Sequence, residues 1–151
     1  MTKKILMAVD GSNGSKRAMM RTIDWFPVDT EYHAVFVHAP DETIRIPDAI
    51  PPHAATGGLD PEPGLGRIID EREKEFIEKL LRDVMDSRGV EIRLHIRRGD
   101  PRHEIVGIAE EMGVDLIVIG SRGHGSISRL LLGSVSSFVL EHAPVSALVV
   151  R

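Results

Sequence analysis

Short apolar runs alternate along this chain with longer stretches whose apolar residues recur at helical spacing, and few architectures accept that order. The runs are KILMAV (Lys4 to Val9), HAVFVHA (His33 to Ala39), EIRLHI (Glu91 to Ile96), DLIVIG (Asp115 to Gly120) and SALVV (Ser146 to Val150). After their leading residue the first and fourth are apolar throughout, as befits strands covered on both faces. VEIRLHI instead alternates Val90, Ile92, Leu94 and Ile96 with polar residues and fits a strand nearer a sheet edge.

Four helical segments lie between the runs. The first extends from about Ser15 to Phe26, with Ser12 or Asn13 to cap it and Pro27 to end it. The second, roughly Leu65 to Arg88, sets Ile69, Phe76, Ile77, Leu80, Leu81, Val84 and Met85 on one side. Its outer side pairs Asp70–Lys74, Glu75–Lys79 and Glu78–Arg82 at four-residue spacing, and Gly89 closes it. The third follows GDP, with Pro101 in its first turn, carries Ile105, Ile108, Ala109 and Met112, and ends at Gly113; the fourth spans about Ser134 to His142 and stops before Pro144.

Strand and helix repeated to a final strand demand right-handed crossovers, which predicts an α/β fold: a single doubly wound five-stranded parallel sheet, strand order 3-2-1-4-5, with four helices. The winding direction reverses between strands 1 and 4. The loops leaving those strands, DGSNGS from Asp10 and GSRGHGS from Gly120, therefore flank one crevice.

With 151 residues, 42% of them hydrophobic, the chain fits one domain over 1–151 and has no room for a second. The stretch from Pro40 to Gly66 holds six prolines and four glycines with little apolar period, and is expected to be a mobile insertion. The formal charge of −4 offers no cationic surplus to attract nucleic acid or an anionic membrane, so neither is expected as a partner. Cysteine is absent, which excludes disulfides and thiolate metal sites. ILMAV is interrupted by Asp10 before it reaches the length of a secretory signal core, and the expected location is the cytoplasm.

The glycine-rich stretch GSRGHGSISRLLLGS, Gly120 to Ser134, admits two readings. A backbone that brings N–H groups close to phosphate oxygens needs residues without a Cβ and gains from ending at a helix N-terminus, where unpaired N–H groups favour anions. Gly120, Gly123, Gly125 and Gly133 meet the first need and Ser134, opening the last helix, the second. Ser134 and Ser136 add hydroxyls, and Arg122, His124 and Arg129 add positive charge. Equally, glycines mark a tight strand exit and serines cap a helix. Asp10 divides the same way, between a ligand contact and a turn residue in DGSNGS.

Sharper chemistries fail on spacing. The chain lacks the P-loop pattern, the G-x-G-x-x-G dinucleotide fingerprint and the G-x-S-x-G nucleophile elbow. Its seven histidines make no metal-ligand pattern, and His33, His95 and His142 stand alone in the sequence. No catalytic residue is assigned.

The spacing that does occur is Gly120, two residues, Gly123, nine residues, Gly133, Ser134. Preceded by DLIVIG and followed by SVSSFVLEHAPVSALVVR, it resembles the universal stress protein family, specifically its ATP-binding branch, and KKILMAVDGSNGSKRAM, VFVHA and RGDPRHEIVGIAEEMG extend the resemblance over nearly the whole chain. The resemblance implies that Ala8, Val9 and Asp10 line adenine and ribose, that Ala39 offers backbone contacts to adenine, and that Ile119 and Gly120 border base and ribose. Gly123, His124, Gly133, Ser134, Val135 and Ser136 would surround the phosphates, with Asp10 accepting from a ribose hydroxyl or standing near a phosphate-bound Mg²⁺ or Mn²⁺.

Strand 5 ends the chain as a sheet edge, and related proteins dimerise by pairing that strand, so a homodimer is expected. Three function classes follow: an ATP-binding stress or signalling protein acting through its dimer or an unknown client; a slow ATPase or self-phosphorylating enzyme drawing on Asp10, Arg122 and His124; and an interaction module with a vestigial pocket.

Overall fold

The computed structural model describes residues 2–27, 29–39, 63–122 and 132–151, and of residues 63–70 the backbone alone. Strands and helices alternate as the pattern predicts: β1 (Lys3–Ala8), α1 (Asn13–Trp25), β2 (Thr30–His38), α2 (Pro63–Arg88), β3 (Ile92–Arg98), α3 (Pro101–Met112), β4 (Leu116–Gly120), α4 (Ser134–His142) and β5 (Ser146–Val150). The five strands form one parallel sheet in the order β3-β2-β1-β4-β5.

Strand alternation sends side chains to two cores. Ile5, Met7, Ala34, Phe36 and Val118 meet Ala18, Met19 and Ile23 of α1 and Ile77, Leu81 and Val84 of α2 on one face. Leu6, Ala8, Val35, Ile117 and Ile119 meet Ile105, Ile108 and Ala109 of α3 and Val139 of α4 on the other. Removing both faces of β1 and β4 from water is what makes their sequences continuously apolar.

Local chemistry sets the helix ends. The Ser12 side chain accepts from the Ser15 N–H and caps α1. Asp100 caps α3 by accepting from the Arg102 N–H, Pro101 occupies its first turn, and Gly113 ends it in the left-handed conformation.

Several boundaries and contacts differ from the sequence expectation. β2 starts at Thr30, because Thr30, Glu31 and Tyr32 pair with Lys3, Lys4 and Ile5 through backbone groups that polarity does not reveal. β3 continues to Arg98, with Arg97 and Arg98 in register with Val37 and His38. α2 begins at Pro63, so the end of the expected insertion is helical, while 40–62 lie outside the described residues. Phe76, expected in the core, is 56% exposed; its ring lies against the turn at Gly11 instead of the sheet. On the outer side of α2, Glu78 pairs back to Lys74 at 3.7 Å, not forward to Arg82.

One packing contact fixes the geometry of the carboxyl end of the sheet. A Cβ on Gly120, the last residue of β4, would stand 3.2 Å from the Gly14 carbonyl carbon and oxygen and 3.3 Å from the Ser15 nitrogen. A Cβ on Gly14 would stand 3.1 Å from the Arg122 carbonyl oxygen. The first turn of α1 and the exit of β4 touch backbone to backbone, and neither position has room for a side chain. We expect Gly120→Ala to force the two apart by a few tenths of an ångström and to lower stability by about 1–3 kcal/mol in denaturant titrations; an unchanged midpoint would contradict this packing.

Candidate functional site

A crevice of about 260 Å³ opens at the carboxyl end of the sheet where the winding reverses. Its apolar side comes from three strands and a helix: Ala8 of β1, Val35 and Val37 of β2, Ile119 of β4, and Pro101 and Ile105 of α3. Its polar side comes from the two loops, with Val9, Asp10, Ser15, Gly120 and Arg122, and from Gly133, Ser134, Val135 and Ser136 at the start of α4. The crevice thus joins an apolar wall suited to a flat ring with a rim of polar backbone.

Three helices begin near that rim: α1 reaches it with Ser15 of its first turn, α3 with Pro101 and α4 with Ser134. Side chains of Ser12 and Asp100 already serve the first turns of α1 and α3, whereas the N-cap of α4 is Gly133, which makes no side-chain cap bond. Among the described residues no side chain caps the first amides of α4, which makes them available to an anion.

The crevice glycines are not equivalent. Gly120 lacks a Cβ because α1 fills that space. At Gly133 φ is −64°, and a Cβ would meet the Ser121 carbonyl oxygen at 3.6 Å, the Arg122 Cα at 3.7 Å and the Ser136 Oγ at 3.7 Å, all ordinary contacts. Among the described residues neither backbone conformation nor packing demands glycine at 133, and Gly133 lines the crevice.

Asp10 is the turn residue its sequence context allowed, and it also lines the crevice. Its Oδ1 accepts from the N–H and the hydroxyl of Ser12, and its own N–H donates to Ser15 Oγ at 3.3 Å, so it braces the turn while lining the crevice. The buried Ser136 hydroxyl donates to the Gly120 carbonyl at 2.8 Å and joins α4 to β4, which leaves its backbone N–H, not its hydroxyl proton, for a ligand. The Gly133 N–H donates to the Ser121 carbonyl at 2.8 Å, and the Ser121 N–H to the Val150 carbonyl at 2.9 Å, fastening this corner to β5.

Of the thirteen residues singled out in the sequence, Ala8, Val9, Asp10, Ile119, Gly120, Arg122, Gly133, Ser134, Val135 and Ser136 line the crevice. Gly123 and His124 lie outside the described residues. Ala39 sits exposed just past the end of β2 and is not brought into the lining; Val35 and Val37 supply the β2 surface instead. Ser15, Val35, Val37, Pro101 and Ile105 were missed. Alternation along β2 carried a signal for the two valines, which point to one face, but only the assembled sheet shows that this face floors the crevice. Among the described residues no group of three or more His, Cys, Asp or Glu side chains is placed to hold a metal ion, and Asp10 is the carboxylate of the lining.

A parallel sheet wound on both faces, with a mixed apolar and amide-rimmed crevice at its switch point, defines a doubly wound α/β protein with its pocket where such folds hold ligands. The chain belongs to the universal stress protein family, whose family model matches residues 1–151. It is 31% identical over 155 residues to universal stress protein YxiE of Bacillus subtilis, covering 100% of both chains. Universal stress protein MJ0577 of Methanocaldococcus jannaschii is 31% identical over 157 residues, covering 100% of this chain and 96% of that one; its solved structure matches with a TM-score of 0.72 at 29% identity, covering 99% and 96%. A family protein from Arabidopsis thaliana, solved with AMP bound, shares the fold with a TM-score of 0.64 at 21% identity, covering 98% of this chain and 90% of that one.

Proposed function

We propose that this chain is, over its whole length 1–151, a cytoplasmic ATP-binding stress-response protein that holds an adenine nucleotide in the crevice and acts through a nucleotide-dependent homodimer or client contact. The base lies on the apolar side, against Val35, Val37, Ile105 and Ile119, and the phosphates lie at Gly133 to Ser136. Gly133 carries this reading: it is a glycine at an uncapped helix start for which the protein's own packing gives no reason, and it borders the crevice. The AMP-bound relative supports it at the level of the fold, which takes an adenine nucleotide in that protein. A Mg²⁺ or Mn²⁺ ion would arrive with the phosphates, with Asp10 the carboxylate beside them and the remaining ligands drawn from phosphate and water.

The dimer reading rests on β5. It is an edge of the sheet, and Ala147, Leu148 and Val149 are only half-buried along it.

Two outcomes follow. Calorimetric titration with Mg-ATP should show binding that Gly133→Val weakens at least about tenfold, equivalent to about 1.4 kcal/mol, with the thermal melt unchanged; equal affinities would refute the phosphate assignment. Light scattering should give twice the 16.7 kDa chain mass. A monomer mass across the micromolar range would refute the dimer.

A further inference from the structure

His33 and His95 face each other across β2 and β3. His33 Nδ1 lies 3.0 Å from His95 Nε2, with the rings 5.2 Å apart between centroids and tilted by 33°. His33 is 3% exposed. Its other ring nitrogen stands 3.2 Å from Glu31 Oε1, an oxygen that Arg93 also holds at 2.6 Å. His33 shares a strand face with Val35 and Val37, and His95 is the register partner of Val35. The pair thus lies on the face that α3 covers, one step along β2 from the crevice floor.

The 3.0 Å contact requires one N–H and one lone pair on the facing nitrogens. With no extra proton, or with one, that arrangement survives. With two, both nitrogens carry hydrogen and the contact becomes a repulsion between cations. The charged groups facing the pair pull both ways: Glu31 of β2, shared with Arg93, favours charge on His33, while Arg93 and Arg97 of β3, the latter bound to Glu111 of α3, oppose it. We propose that this pair is an acid-released latch, whose double protonation separates β3 and α3 from β2 and loosens the crevice wall that α3 contributes through Pro101 and Ile105.

Burial holds both imidazoles below the ordinary value of 6.5. Below that pH the unfolded chain takes up protons more readily than the closed pair does, so the pair's stabilisation is complete above about pH 6.5 and drains away as the pH falls towards the lowered values. The effect on ligand affinity rests on the nucleotide reading above; the opening of α3 does not.

The test is amide hydrogen exchange of the full chain at pH 7.5 and 5.5, with rates corrected for intrinsic chemistry, beside Mg-ATP titrations at both values. In the wild type, α3 should lose protection at pH 5.5 and the dissociation constant rise about fivefold or more. In His95→Gln, which keeps a neutral donor and acceptor and leaves every other histidine in place, neither change should occur. Unchanged α3 protection in the wild type, or the same loss in His95→Gln, overturns the latch. Failure of the wild type to bind Mg-ATP at pH 7.5 overturns the nucleotide reading while the exchange data still decide the latch. Should His95→Gln not fold, imidazole ¹⁵N shifts of the wild type decide: both rings must charge in step with the loss of α3 protection, and charging with α3 still protected refutes the proposal.

Discussion

The crevice takes its shape from the first turn of α1, which lies against the exit of β4 with no side chain between them. Reversal of winding at β1 and β4 leaves a gap at the carboxyl end of any such sheet. Here the gap is narrowed and shaped by Gly14 and Gly120, whose missing Cβ atoms let two backbones touch. That contact places Ser15 on the rim, where its hydroxyl accepts the Asp10 N–H, and holds the Asp10 turn in place through Ser12. Ser136 completes the corner by donating into the Gly120 carbonyl. Asp10 to Ser15, Gly120 to Arg122 and the start of α4 are therefore tied to one another without a ligand to arrange them.

Charge plays a small part in this design. Among the described residues, Asp10 and Arg122 are the charged side chains of the lining, and the chain as a whole carries −4, which gives no long-range pull on an anion. On the proposed reading, helix-start amides supply attraction at short range, and the fit of a flat apolar group on Val35, Val37, Ile105 and Ile119 supplies selectivity. The two glycines that sequence alone treats alike have separate duties on this account: Gly120 makes room for protein, Gly133 for ligand.

The architecture was legible because two-sided burial writes itself as continuous apolar runs, and the strand order because right-handed crossovers leave little choice. What hid was whatever depended on backbone pairing or on distant elements. Thr30 and Glu31 are polar yet belong to β2, since pairing with β1 and not side-chain burial makes them strand. Phe76 looked like core but packs on a turn. The loop half of the crevice could be found from Gly, Ser and Asp in a short stretch, but its apolar half comes from β2 and α3, which contribute by tertiary position. His33 and His95, 62 residues apart, are each unremarkable alone and become a pair only when β3 aligns with β2.

The central claim is that an adenine nucleotide occupies the crevice between β1 and β4. A ¹⁵N-labelled sample titrated with Mg-ATP tests it at the resolution of single amides. The account predicts shifts concentrated at Val9, Asp10, Val37, Gly120 and Gly133 to Ser136, with Lys74, Ile96 and Arg98 on the opposite face of the sheet undisturbed. Shifts centred away from the crevice, or none at saturating nucleotide, would contradict it.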